Sequence, residues 1–120
     1  MADPRHDAGA AAERRAQLHL ETAGLRLLER NARFRAGEWD LVMTEGELLV
    51  FVEVRLRQHS GFGGPLASVD WRKQRKLQRA AALWLQRHPE YRARRVRFDV
   101  VGYTNISGSP EWIRDAWRPT

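Results

Sequence analysis

Three carboxylates and an arginine occupy strand-forming stretches of this chain where free charge has no ordinary use. In "GEWDLVMTEGELLVFVEVRLR", residues 37–57, Glu38 and Asp40 fall in one apolar run and Glu53 and Arg55 in the next, with "TEGE" between them as a turn. A two-residue loop at Glu45 and Gly46, or a four-residue loop from Thr44 to Glu47, gives the same register. Either loop sets Glu38 opposite Glu53 and Asp40 opposite Phe51, so Asp40 and Glu53 become diagonal neighbours about 7–8 Å apart. Glu38, Asp40, Glu53 and Arg55 then share one face, and Trp39, Leu41, Leu48, Val50, Val52, Val54 and Leu56 share the other. An odd-length loop would move Asp40 across the sheet. On a solvated face each acid would simply pair with an arginine. Three carboxylates on one face repel unless cations neutralise them, and Glu53 stands among core-type neighbours. Oxygen donors converging in this way suit magnesium or manganese.

The elements that must position these residues follow from periodicity. Between Ala8 and Ala23, apolar residues at Ala12, Ala16, Leu20 and Ala23 keep a helical spacing, and Gly24 supplies a stop. Leu25 to Arg35 reads as a first strand, Glu38 to Met43 as a second, and Glu47 to Arg57 as a third, where Leu48, Val50, Val52, Val54 and Leu56 alternate. A glycine-rich loop, "QHSGFGGP", precedes a long amphipathic helix that starts at Leu66 or Val69, with Ser68 as a candidate cap, and ends at His88 before Pro89. Its stripe of Val69, Leu77, Ala80, Ala81, Trp84 and Leu85 is its core face. Arg95 to Thr104 is a last strand, and "EWIRDAW" reads as a short terminal helix started by Ser109 and Pro110. The order is αβββαβ, an α/β fold in which helices flank a mixed sheet.

The 120 residues, 42% of them hydrophobic, suit a single domain over 1–120, with residues 1–8 expected to be disordered. The apolar run Leu48 to Val52 is far too short to span a bilayer, and the N-terminus lacks a secretory pattern, so the expected compartment is cytoplasmic and no membrane is involved. The chain has no cysteine, which excludes disulfides, thiolate metal sites and cysteine nucleophiles. The net charge is +6. From Leu66 to Arg97, ten basic residues face two acidic ones, a surplus of eight that leaves −2 for the rest of the chain. That concentration predicts a phosphate track on the second helix and on "YRARRVR", and hence a nucleic-acid partner.

The succession "GEWDLV", "LLVFVEVRLR", "KQRKLQRAAALWL", "RFDVVGY" and "EWIRDAW" resembles the YraN family of small bacterial proteins over nearly the whole chain. That family is similar to Holliday-junction resolvases and to the PD-(D/E)xK nuclease superfamily. The resemblance implies a restriction-endonuclease-like core and a Mg²⁺-dependent (or Mn²⁺-dependent) endonuclease acting on branched or otherwise structured DNA. It implies that Asp40 and Glu53 are metal ligands, with the backbone carbonyl of Val54 completing the inner set. Glu13 matches the resolvases' extra N-terminal glutamate; it points at the site or is an ordinary surface residue. Glu38 is expected in a salt bridge.

The departure from the superfamily pattern is Arg55, which stands where a lysine orients or deprotonates the attacking water. A permanently protonated arginine can only hold the phosphate. Lys73, on the inward side of the second helix, either reaches the site in its place or covers apolar surface with its stem. Arg72, Lys73, Gln74, Arg75, Lys76 and Arg79 are the expected nucleic-acid contacts, and Trp71 is the aromatic expected to meet a base. His59 and its flanking glycines form a lip over the site or a plain connection, and Trp84, Trp112 and Trp117 are expected in the core or an interface. Resolvases suggest a homodimer. The alternative to an enzyme is a non-catalytic nucleic-acid-binding protein that keeps the nuclease fold.

Overall fold

In a computed structural model, which describes residues 4–56, 64–104 and 108–119, one five-stranded sheet carries a helix on each face. Helix α1 (Pro4–Thr22) leads into strands β1 (Arg26–Arg33), β2 (Glu38–Glu45) and β3 (Leu48–Leu56). A 3₁₀ turn (Pro65–Ser68), helix α2 (Trp71–Arg87), a second 3₁₀ turn (Pro89–Tyr91), strand β4 (Val96–Tyr103) and strand β5 (Glu111–Ile113) complete the chain. The strands lie side by side in sequence order, and only β3 and β4 run parallel, joined by the α2 crossover. The expected helix, three strands, helix and strand are all present. Helix α1 starts at Pro4, inside the stretch expected to be disordered.

Each face of the sheet has its own core. Ala12, Ala16 and Leu20 of α1 pack on Leu41, Met43, Val50, Val52, Val101 and Tyr103. Leu77, Ala80, Ala81 and Trp84 of α2 pack on Trp39, Val42, Leu49, Phe51, Phe98 and Val100. A central strand covered on both sides has no wet face, which removes the solvated-face reading of Glu53. Trp39 anchors the α2 side: its ring stacks on Phe98 and Trp117, and its indole N–H donates to the Leu77 carbonyl at 2.9 Å.

Four expectations need correction. The hairpin turn is Gly46 and Glu47, with Glu45 paired to Leu48, one residue later than either expected loop. Gly46 has φ 59°, which suits glycine at that corner. The parity survives, but the register moves by two residues, so that, continued one step past the last pair of Leu41 and Val52, it sets Asp40 against Glu53. Second, Trp39 does not share a face with Leu41: Trp39 belongs to the α2-side core and Leu41 to the α1-side core. Alternation therefore breaks at Asp40. Asn31, which lies between the β1 partners of Leu41 and Trp39, has φ 55°, so the two strands kink together. Third, Asp70 rather than Ser68 caps α2; its carboxylate accepts the Lys73 backbone N–H at 2.9 Å, and the hydroxyl of Ser68 donates to the Pro65 carbonyl. Fourth, the expected terminal helix is β5, paired antiparallel to β4 through Val100–Ile113, Val101–Trp112 and Gly102–Glu111. Seven residues form too few turns to repay helix nucleation, and the open edge of β4 offers ladder bonds at once.

Candidate active site

Asp40 and Glu53 meet at the end of the hairpin remote from its turn, where β2 begins and β3 approaches its C-terminus. The paired ladder ends at Leu41 and Val52, and the Asp40 side chain takes over from the backbone there: Oδ2 accepts the Val54 N–H at 2.7 Å. The kink at Asn31 and Asp40 allows this, because a strictly alternating strand would hold the carboxylate perpendicular to the sheet. Glu53 is only 4% exposed.

Two cations reach Glu53 from different elements. Arg55 Nη2 lies 3.3 Å from Glu53 Oε2, and Lys73 Nζ lies 3.8 Å from the same oxygen. Lys73 therefore points into the site from the first turn of α2. Arg55 Nη2 also approaches the Ser68 carbonyl at 3.5 Å, while its Nε is buried without a partner among the described residues. The 3₁₀ turn that carries Ser68 is seated by an absence: a β-carbon on Gly102, the β4 partner of Arg55, would lie 2.1 Å from Pro65 Cγ. Only glycine admits that approach.

Helix α1 contributes Glu13, whose carboxyl hydrogen-bonds Asp40 and senses Glu38. In the amide orientation that satisfies both neighbours, Asn31 Nδ2 donates to Glu13 Oε1 at 3.0 Å and to Glu38 Oε1 at 3.2 Å. Glu38 also pairs with Arg33 at 3.5 Å, the salt bridge expected of it. Asn31 was not singled out from sequence. Its signal is an asparagine within a strand run, a residue disfavoured in strands and tolerant of positive φ.

The charges within this group are under tension. Burial, then the Asp40 carboxylate and its hydrogen bond, push the Glu53 carboxyl up to about 9, against the opposing pull of Arg55 and Lys73. Burial, followed by Asp40 and Glu38, pushes Glu13 up to about 7. Asp40 is raised by burial and pulled back by hydrogen bonds from Glu53 and the Val54 N–H. Near neutral pH, Glu53 keeps its proton and donates it to Asp40. The two touching carboxyls thus share a proton because burial and their mutual repulsion outweigh the pull of Arg55 and Lys73.

This donor set can be matched against a divalent cation. Among the described residues, no three acidic or histidine side chains are arranged to enclose a metal. Mg²⁺ seldom needs three; it binds through one or two carboxylates and keeps several waters. Asp40 and Glu53 offer two hard oxygen donors where repulsion now holds a proton, and a cation could replace that proton. The residues fit on chemistry, with Glu13 as a third acid at the rim.

Arg72, Arg75, Lys76 and Arg79, at positions i, i+3, i+4 and i+7 of α2, form an exposed stripe and pair with no carboxylate among the described residues. Gln74 is held back, its Nε2 donating to the Val69 carbonyl at 3.0 Å. Arg97 does not join the track: it bonds both oxygens of fully buried Asp99 and reaches Glu45 at 2.9 Å. Asp99 further accepts the Trp112 indole N–H and the Asp115 backbone N–H, so Arg97 and Asp99 lock β5 and the hairpin turn onto β4. Trp84 is in the α2-side core, against which Trp117 packs half-buried, and Trp112 packs half-buried on the α1-side core. His59, Gly61 and Gly63 lie outside the described residues.

Fold and site together define an α/β protein with a mixed sheet, in which buried Glu53 of the central strand meets Asp40 of β2 beside one arginine and one lysine. The chain belongs to the uncharacterised protein family UPF0102, which matches residues 12–103, from the core stripe of α1 to the end of β4. A UPF0102 protein of Xanthomonas euvesicatoria pv. vesicatoria is 54% identical over 121 residues, covering 98% of this chain and 97% of the relative. Those of Alkalilimnicola ehrlichii and Halorhodospira halophila are 53% and 51% identical, covering 95% and 97% of this chain and 89% and 90% of theirs. The expected family is thereby shown, and the matched region holds Glu13, Asp40, Glu53, Arg55 and Lys73.

Proposed function

We propose that this protein is a metal-dependent, endonuclease-like protein acting on DNA, built on a restriction-endonuclease-like αβββαβ core. The observation that carries the reading is the side-chain contact between Asp40 and buried Glu53, with Lys73 and Arg55 beside it. Asp40 and Glu53 hold Mg²⁺ or Mn²⁺, with the Val54 carbonyl beside them. When bound, the cation lowers the pKa of a coordinated water and neutralises phosphate charge. Arg55, whose side chain is in part exposed beside Glu53, binds the scissile phosphate. Lys73 supplies the lysine that the strand position lacks; an ammonium whose partner acid has turned to a metal is free to hold the attacking water. The stripe Arg72, Arg75, Lys76 and Arg79 holds the backbone. Lack of cysteine suits a cytoplasmic site of action; among the described residues no helix is long and apolar enough to cross a membrane.

Arg55 supports a second reading: a protein that binds branched DNA without cutting it, because an arginine in that strand position accepts no proton. Incubation of the wild type with linear, flapped and four-way DNA in Mg²⁺ or Mn²⁺ separates the two. Cleavage that Asp40→Asn and Glu53→Gln abolish supports the enzyme. Salt-sensitive gel shifts without any cleavage support the binder, and the absence of both cleavage and gel shift overturns a nucleic-acid role.

A further inference from the structure

Among the described residues, the large apolar side chains left exposed are Leu18, Leu28 and Trp71, and Trp71, at 61%, is the one aromatic among them. The other four tryptophans pack against one or other core. Trp71 is the first residue of α2, directly after the Asp70 cap, a place where helix formation asks nothing of an indole. Its ring is not left alone. The Arg72 guanidinium lies 5.6 Å from the ring centroid and that of Arg75 lies 6.0 Å from it, and neither arginine pairs with a carboxylate among the described residues. An exposed indole with two carboxylate-free guanidinium groups over its ring can hold a base and its flanking phosphates together when those groups turn to the backbone, since stacking on an aromatic is tolerant of sequence.

The position along the helix matters. Trp71 and Lys73 are on opposite sides of the first turn: Lys73 turns inward to Glu53, and Trp71 outward onto the face of Arg72, Arg75 and Arg79. Within a duplex, base faces are covered by their neighbours, so an exposed indole on this face is of use only to a base already out of the stack. Resting on the nucleic-acid reading above, we propose that Trp71, with Arg72 and Arg75, is a stacking platform for an unpaired base beside the carboxylate site, which directs the protein to single-stranded or frayed segments rather than to continuous duplex.

The test uses the full chain and fluorescence anisotropy with three labelled probes: a 15-nucleotide oligothymidine, a blunt duplex of equal length, and the same duplex with a single-stranded flap. Trp71→Ala should weaken the oligothymidine and flap complexes by about ten-fold or more and the blunt duplex by less than about two-fold, while Trp71→Phe stays within about three-fold of wild type on all three. Arg79→Ala should weaken all three probes alike, which tests the phosphate stripe separately. Thermal melting within about 2 °C of wild type is expected for Trp71→Ala, because the side chain is exposed. Equal losses on all three probes, or no loss on any, overturn the platform while leaving the phosphate stripe intact. A wild type that binds none of the probes overturns the nucleic-acid reading, and the platform with it.

Discussion

Glu53→Gln offers the sharpest test of the electrostatics at the site. With metal chelated, the wild-type carboxyl titrates at about 9 in the folded chain against an ordinary 4.5. The folded state thus binds a proton that the unfolded state has lost across this window. The stabilisation is complete below pH 4.5 and is lost as pH rises through about 9, at roughly 1.4 kcal/mol for each pH unit. Between pH 5 and pH 8 that is about 4 kcal/mol, a large share of the roughly 5–15 kcal/mol that holds a domain of this size. Glutamine keeps the donor to Asp40 and carries no proton to lose. Melting curves in chelator from pH 5 to pH 9 should therefore fall for the wild type by on the order of 10 °C and stay flatter for Glu53→Gln, with the variant the more stable at pH 8. Adding Mg²⁺ at pH 8 should restore the wild type and leave the variant nearly unmoved, and calorimetry in buffers of different ionisation enthalpy should register proton release on binding. Parallel curves for the two proteins across this range would refute the reasoning, because they would mean Glu53 ionises alike folded and unfolded.

Other outcomes follow from the same geometry. Asp99→Asn removes the charge that holds Arg97 while keeping the shape, and is expected to cost about 3–5 kcal/mol in urea denaturation, as for a buried pair that loses one partner. Gly102→Ala drives a methyl into Pro65 and should cost about 1–3 kcal/mol; because it displaces the turn bearing the Ser68 carbonyl, it should also weaken DNA binding beyond what its melting temperature explains.

Much of this architecture is legible in the sequence because it rests on period and punctuation. The alternation Leu48 to Leu56 marks the central strand, the stripe Ala12, Ala16, Leu20 marks the buried side of α1, and Pro89 marks the end of α2. The acid pair is legible too, since an even-length turn of either kind leaves Asp40 and Glu53 on the same side. The terminal "EWIRDAW" misleads, because seven residues carry too weak a local preference to resist the free edge of β4 and the indole-accepting carboxylate of Asp99.

Sequence alone determined which residue types are present, their order along helix and strand, and the concentration of positive charge on α2. It did not determine which acids touch. A shift of the turn by one residue brings Asp40 from diagonal to opposite Glu53; both registers send the same side chains to α1 and α2, and the choice lies at the corner, where Gly46 at φ 59° lets Glu45 pair with Leu48. The left-handed turn of Asn31, the inward reach of Lys73 and the capture of Arg97 by Asp99 are likewise tertiary. Lys73 and Asn31 depend on Glu53 and Glu13, far off in the chain, which no local pattern records; Asp99 stands only two residues from Arg97, but it takes that arginine out of the phosphate track because packing buries its carboxylate.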